Sequence, residues 1–214
     1  MTLQTALVAA TYLFDTHLLN GMQVRDLTVL INGGLADNMR CGDDGYSFLT
    51  DPRNRLGRYK YTLQQHLSNS QLLSPSEYQL MDPLSDEYLV CRYQLCQWLS
   101  YASQFIGILV LCMQLDGVTQ GSGVSPEDIR ICNGAHGKRN MFATLNTLIV
   151  SNVDITTGYV PSPRYMLTPL ASLIIQYLTV VRPMEMQAMT ILHKRTNPDF
   201  FNDATAAYSM YLFV

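Results

Sequence analysis

The chain has 214 residues, 48% of them hydrophobic and 14% charged, with a formal net charge of −3. That length buries a core as one domain or two small ones, while the charged share is well below the roughly 25% of ordinary domains, so uncharged polar groups must cover much of the surface and part of it is expected to seat against a partner. The acidic balance argues against a strong stand-alone binder of duplex DNA, whose affinity comes mainly from phosphate neutralisation, but leaves room for a local basic patch.

Taken in chain order, Leu3, Leu7, Ala10, Leu13, Phe14 and Leu18 recur at helical spacing and predict a helix over 3–20, closed by Gly21. Asp15 and His17 and the lack of a basic leading segment make residues 1–19 a helix rather than a secretory leader. Residues 24–39 form a second helical candidate, weakened by Gly33 and Gly34. Gly and Asp content makes 41–47 a loop, residues 53–67 a third helix, and Ser74-Pro75 the start of a short helical turn.

The strongest helical signal is 85–115. It opens on Ser-Asp-Glu, which suits the positive end of a helix dipole, and becomes apolar nearly all round from Phe105. That pattern predicts a central helix with Trp98, Phe105, Leu109 and Met113 in the core, ended by Asp116-Gly117. The apolar run from Phe105 to Met113 falls short of the ~20 residues that span a bilayer, so no membrane role is expected.

Residues 119–123 read as a flexible loop and Ser125-Pro126-Glu127-Asp128 as the start of a short capped helix. A turn follows at 133–137. Residues 142–153 and 155–159 favour short strands, and 168–181 a helix broken at Pro183 and resumed over 184–194. The tail, 200–214, is apolar without a stop signal.

The five cysteines, Cys41, Cys91, Cys96, Cys112 and Cys132, are odd in number and several lie in apolar runs, so reduced and buried thiols are expected. Cys91 and Cys96 are about 140° apart around a helix and no Cys-x-x-Cys pair occurs, which argues against zinc. Gly121-Ser122-Gly123 lacks the Lys-Ser/Thr ending of a phosphate loop, Asp43-Asp44 reads as a solvated turn, and Ser122 with His136 has no acid to orient the histidine. No metal or cofactor is expected. Cations gather at Lys138-Arg139, at Arg164 and at His193-Lys194-Arg195, near Phe142, Tyr159 and Tyr165. They are either a phosphate-binding face or ordinary solvated turns.

From Gly45 to Met184 the order of segments resembles the tyrosine-recombinase-like regions of large fungal mobile-element proteins associated with telomere-linked RecQ-type helicases. The segment Gly45-Tyr-Ser-Phe-Leu-Thr-Asp-Pro-Arg-Asn54 is similar to that family's G-W-x-F-L-x-D-x-R-N, and the apolar helix at Phe105 follows. The glycine-rich stretch 116–123 stands where the family has T-G-G-Q-P-A-R-G-T-E. Arg139-Asn140-Met141-Phe142 resembles R-N-I-F, and Arg164-Tyr165, 174–178 and Pro183 fall at R-Y-L-P, L-V-Y-Y-L and L-P-F.

Such recombinases surround the scissile phosphate with arginines and a lysine, which offset developing charge, and attack with a tyrosine. Here the first arginine's position is Ser122 and the nearby glutamate's is Ser125. No lysine stands in 152–157, and no His-x-x-Arg segment is present. The resemblance therefore implies a mainly α fold, a helical bundle with a small β-hairpin or sheet, as a partial recombinase catalytic domain whose active site is degenerate.

The expected organisation is one domain over 1–214, with an N-terminal helical part at 1–80 and the recombinase-like region at 85–195. The expected function is catalytically inactive binding of DNA or protein, with Lys138, Arg139, Arg164, Lys194 and Arg195 as DNA contacts. Nuclear or cytoplasmic residence goes with it. The alternative is a helical interaction or structural domain that binds a protein partner or itself through its low-charge surface.

Overall fold

A computed structural model describes residues 1–69, 86–134, 137–151, 163–193 and 198–213. It is mainly helical with one small antiparallel sheet. Helix α1, Leu3–Leu13, starts where the Thr2 hydroxyl accepts from the Thr5 amide, and continues as a π-helical turn, Phe14–Leu18. Asn20 and Gly21, both at positive φ, close it, as the glycine predicted. Its inward stripe is Ala6, Ala10, Phe14 and Leu18.

Helix α2 is only Arg25–Asn32. The helical pattern to residue 39 gives way at Gly33-Gly34, and Gly34 adopts a φ of +89°. A Cβ there would lie 3.1 Å from the Leu145 carbonyl oxygen, so the glycine lets the chain pass against a β-hairpin tip. The helix expected over 53–67 is two pieces, a 3₁₀ turn Leu56–Tyr59 and helix α3, Thr62–Asn69. The turn expected at Ser74-Pro75 lies outside the described residues.

Helix α4, Asp86–Leu115, is the central helix expected from the pattern. Leu95, Phe105, Leu109 and Met113 are fully buried and Trp98 nearly so. The Trp98 indole donates to the Leu18 carbonyl at 3.2 Å, and Phe105 packs on Phe14 and Tyr177. Leu89–Leu115 is long and apolar enough to cross a membrane by length and composition, a test that a core helix also meets.

Where a flexible loop was expected, a short helix α5, Val118–Ser122, forms between Gly117 and Gly123, both left-handed. Pro126–Asp128 is one 3₁₀ turn, and Ser125 makes no side-chain cap on it. Strands β1, Met141–Thr144, and β2, Thr147–Val150, form a hairpin, and β3, Arg164–Tyr165, adds to β2. The order is β1-β2-β3, with Val150 opposite both Met141 and Arg164. The strand expected at 155–159 lies outside the described residues.

Helix α6, Thr168–Gln176, runs through a π-helical turn, Tyr177–Val181, into α7, Arg182–His193. Pro183 therefore does not break the helix. The Arg182 amide bonds five residues back, to the Tyr177 carbonyl, so the ladder has already shifted at the point where proline lacks a donor. Helix α8, Pro198–Met210, packs on α7. Beyond it Leu212 is buried, and its amide donates to Ile129. One apolar cluster extends from Ala6 to Leu212. All five cysteines are free thiols, and Cys96 is exposed rather than buried.

Candidate nucleic-acid interface

The Arg139 guanidinium points into the protein. It donates to both Asp37 carboxylate oxygens, at 2.8 and 2.7 Å, and to the Asn38 carbonyl at 2.9 Å. Tyr46 and Phe142 lie against it, with ring centroids 4.9 and 4.7 Å from its central carbon. Arginine and aspartate side chains are 1% and 0% exposed. Arg139 is thus a core strut and is unavailable as the surface DNA contact that the sequence suggested. Burial of an arginine requires a bidentate acid, and Asp37 lies too far away in sequence to have been matched to it.

The same pair ties together the two segments that carry the resemblance. Tyr46 donates to Asp51 at 2.8 Å and accepts from the Asn38 amide at 2.8 Å. Asp51 also holds the Arg53 amide at 3.0 Å and its guanidinium at 2.9 and 2.6 Å. The hydrogen bond from Arg53 holds the Asp51 carboxyl well below its ordinary value, with Tyr46 adding to the effect against the opposing cost of burial. Buried Asn54 exchanges hydrogen bonds with both sides of the Ala36 backbone and donates to Phe48. Residues 45–54 and 139–142 are in this way parts of one polar clasp between the N-terminal loops and the sheet.

The other proposed contacts divide. Lys138 donates to the Gly42 carbonyl, lies 3.9 Å from Asp44, and keeps 33% of its side chain exposed. Arg164 is exposed on the outer strand, beside Tyr165, which is 62% exposed. Val150 stands between Arg164 and Met141, so Arg164 lies two strand spacings, about 10 Å, from the start of β1. Lys194, Arg195, His136 and Tyr159 lie outside the described residues, and Phe142 is buried.

Ser122 is 7% exposed. Its hydroxyl donates to the Thr119 carbonyl at 3.4 Å and accepts from the Val124 amide at 3.3 Å, closing its own turn. Ser125 is exposed, and its carbonyl takes the Asp128 amide at 3.0 Å. Among the described residues no group of three His, Cys, Asp or Glu is placed to hold a metal ion.

A second buried arginine, Arg182, organises the C-terminal end. It donates to the Tyr177 hydroxyl at 3.2 and 3.1 Å, to the carbonyls of Tyr208 and Tyr211 at 3.0 and 2.9 Å, and to that of Leu212. Glu185 lies 3.4 Å from it and accepts from Tyr177 at 2.7 Å. Burial pushes both the Glu185 carboxyl and the Tyr177 hydroxyl above their ordinary values. Arg130 lies over the Tyr211 ring, and a Cβ at Gly137 would collide with its guanidinium, so that glycine is the seat on which Arg130 packs.

One basic stretch escaped the sequence reading. Arg53, Arg55, Arg58 and Lys60 stand within residues 53–60, and no Asp or Glu follows until Glu77. The helical expectation there concealed it, although a count of cations per window would have found it. No protein-family model, curated protein or solved structure matches this chain.

Proposed function

We propose that this chain is a recombinase-like domain derived from a mobile element, acting by binding duplex DNA without cleaving it. The observation that carries this reading is Ser122. At the position where the resemblance requires a phosphate-binding arginine, a buried serine is consumed in capping its own turn. Arg139 and Arg182 do not substitute, because Asp37 and Glu185 hold them in the core. The order of central helix, glycine-flanked turn, three-stranded antiparallel sheet and helices supports the resemblance at the level of architecture. Arg164 on the outer strand and Lys138 before β1 are the cations available to a phosphate track. Nuclear residence follows from this reading.

A nicked suicide duplex tests the inactive half. The expected result is reversible binding with no protein–DNA adduct on a denaturing gel. An adduct abolished by Tyr211→Phe or Tyr208→Phe would overturn it.

A second reading, a protein-interaction domain with no nucleic-acid role, is favoured by another observation. Leu89, Val90 and Tyr93 on α4 and Val8 and Tyr12 on α1 are 54–67% exposed. Arg92 is the one charged residue between Leu89 and Leu115. Concentration-dependent self-association that Tyr93→Asp abolishes, with no DNA bound at low salt, would favour this reading.

A further inference from the structure

We infer that residues 55–61 form a binding site for single-stranded nucleic acid, with Arg55, Arg58 and Lys60 on the phosphates and Tyr61 as a stacking surface for a base. This site is separate from Lys138 and Arg164 and does not depend on the recombinase reading. Three observations carry it.

First, the segment is held from below and charged from above. Leu56 and Tyr59 are buried, and their 3₁₀ turn packs on the π-helical turn Tyr177–Val181. Arg55, Arg58 and Lys60 are exposed. Among the described residues no ion pair joins any of them to a carboxylate, whereas Arg53 next door is taken by Asp51. In a chain of net charge −3 with 14 Lys and Arg, three uncompensated cations in six residues are a local reversal of sign. Arg55 and Arg58 bracket the turn at a three-residue separation, at which a 3₁₀ turn brings side chains back to the same side.

Second, Arg55 has a φ of +51°, in the left-handed region that favours glycine or asparagine. An arginine kept where a smaller residue would be at ease indicates that its side chain has a use beyond the fold.

Third, the cations are interleaved with aromatics. Arg58 lies 4.7 Å over the Tyr59 ring and Lys60 5.4 Å over the Tyr61 ring. Tyr61 is 56% exposed. A phosphate-lined duplex offers no free base face to such a ring, whereas a single strand offers both a charged backbone and unpaired bases. Acidic peptides supply charge but no planar partner, so the exposed tyrosine selects nucleic acid.

The test is fluorescence anisotropy of a labelled oligothymidylate, about twenty nucleotides long, and of a duplex of equal length, titrated with the full chain across a salt series. The parent is expected to bind the single strand more tightly than the duplex. Arg55→Asn/Arg58→Gln/Lys60→Gln is expected to weaken single-strand binding more than ten-fold and to flatten the salt slope by about two of the ~0.7 units that each lost contact removes, three contacts in all.

Tyr61→Ala is expected to lose about five-fold or more while keeping the slope, and Tyr61→Phe to retain affinity. Arg55→Asn relieves the left-handed backbone, so the variant folds and its loss of affinity is attributable to the missing cation. The inference is overturned by a parent that does not bind the oligothymidylate at low salt, or by a folded triple variant that binds like the parent. Equal single-strand and duplex binding that ignores Tyr61→Ala also overturns it. Duplex binding that depends on Lys138 and Arg164 but not on this segment would defeat the inference and leave the proposed function standing.

Discussion

Single residues carry the two charges that sequence is least able to place. Arg139 lies in a run of polar residues and reads as surface, but Asp37, more than a hundred positions earlier, turns it inward. Replacing Arg139 with Met leaves the Asp37 carboxylate buried without its cation. The expected cost is about 3–5 kcal/mol by urea unfolding, with part of it recovered when Asp37→Asn is added.

Asp51 and Glu185 give opposite pH signatures. The folded-state value of Asp51 is depressed, so its contribution is full above its ordinary 3.8 and is lost as pH falls through the folded value. Glu185 is raised, so its contribution is full below its ordinary 4.5 and is lost as pH rises through its folded value. The stability gap between the parent and Asp51→Asn should therefore close in acid. Glu185→Gln should flatten the decline on the other side of pH 4.5. Chemical denaturation across pH checks both.

Whole elements were legible where one signal dominated. The 30-residue α4 announces itself by period and length, and its buried positions match the apolar stripe. Leu109→Ala should cost about 2–5 kcal/mol, as other truncations of fully buried leucines do, and thermal unfolding measures it. Shorter elements were decided by tertiary contacts. The two-residue β3 exists because β2 offers it an edge, and no local pattern marks so short a strand. Pro183 reads as a breaker unless the π turn before it is known. Gly33-Gly34 ends α2 early because the chain must pass under Leu145.

At the scale of the molecule, composition anticipated a mainly helical fold and low charge density, but not how the few charges would be distributed. Two arginines are spent inside, at Asp37 and Glu185, and the densest exposed group lies at 55–60, in a stretch that reads as an ordinary helix. What remained for the surface near the sheet is Lys138 and Arg164. The most direct measurement is the affinity of the full chain for labelled duplex DNA over a salt series. The expected result is binding whose log K falls linearly with log salt, with a slope about two units shallower in Lys138→Gln/Arg164→Gln. No binding at low salt, where electrostatic attraction is strongest, would contradict the DNA-binding claim.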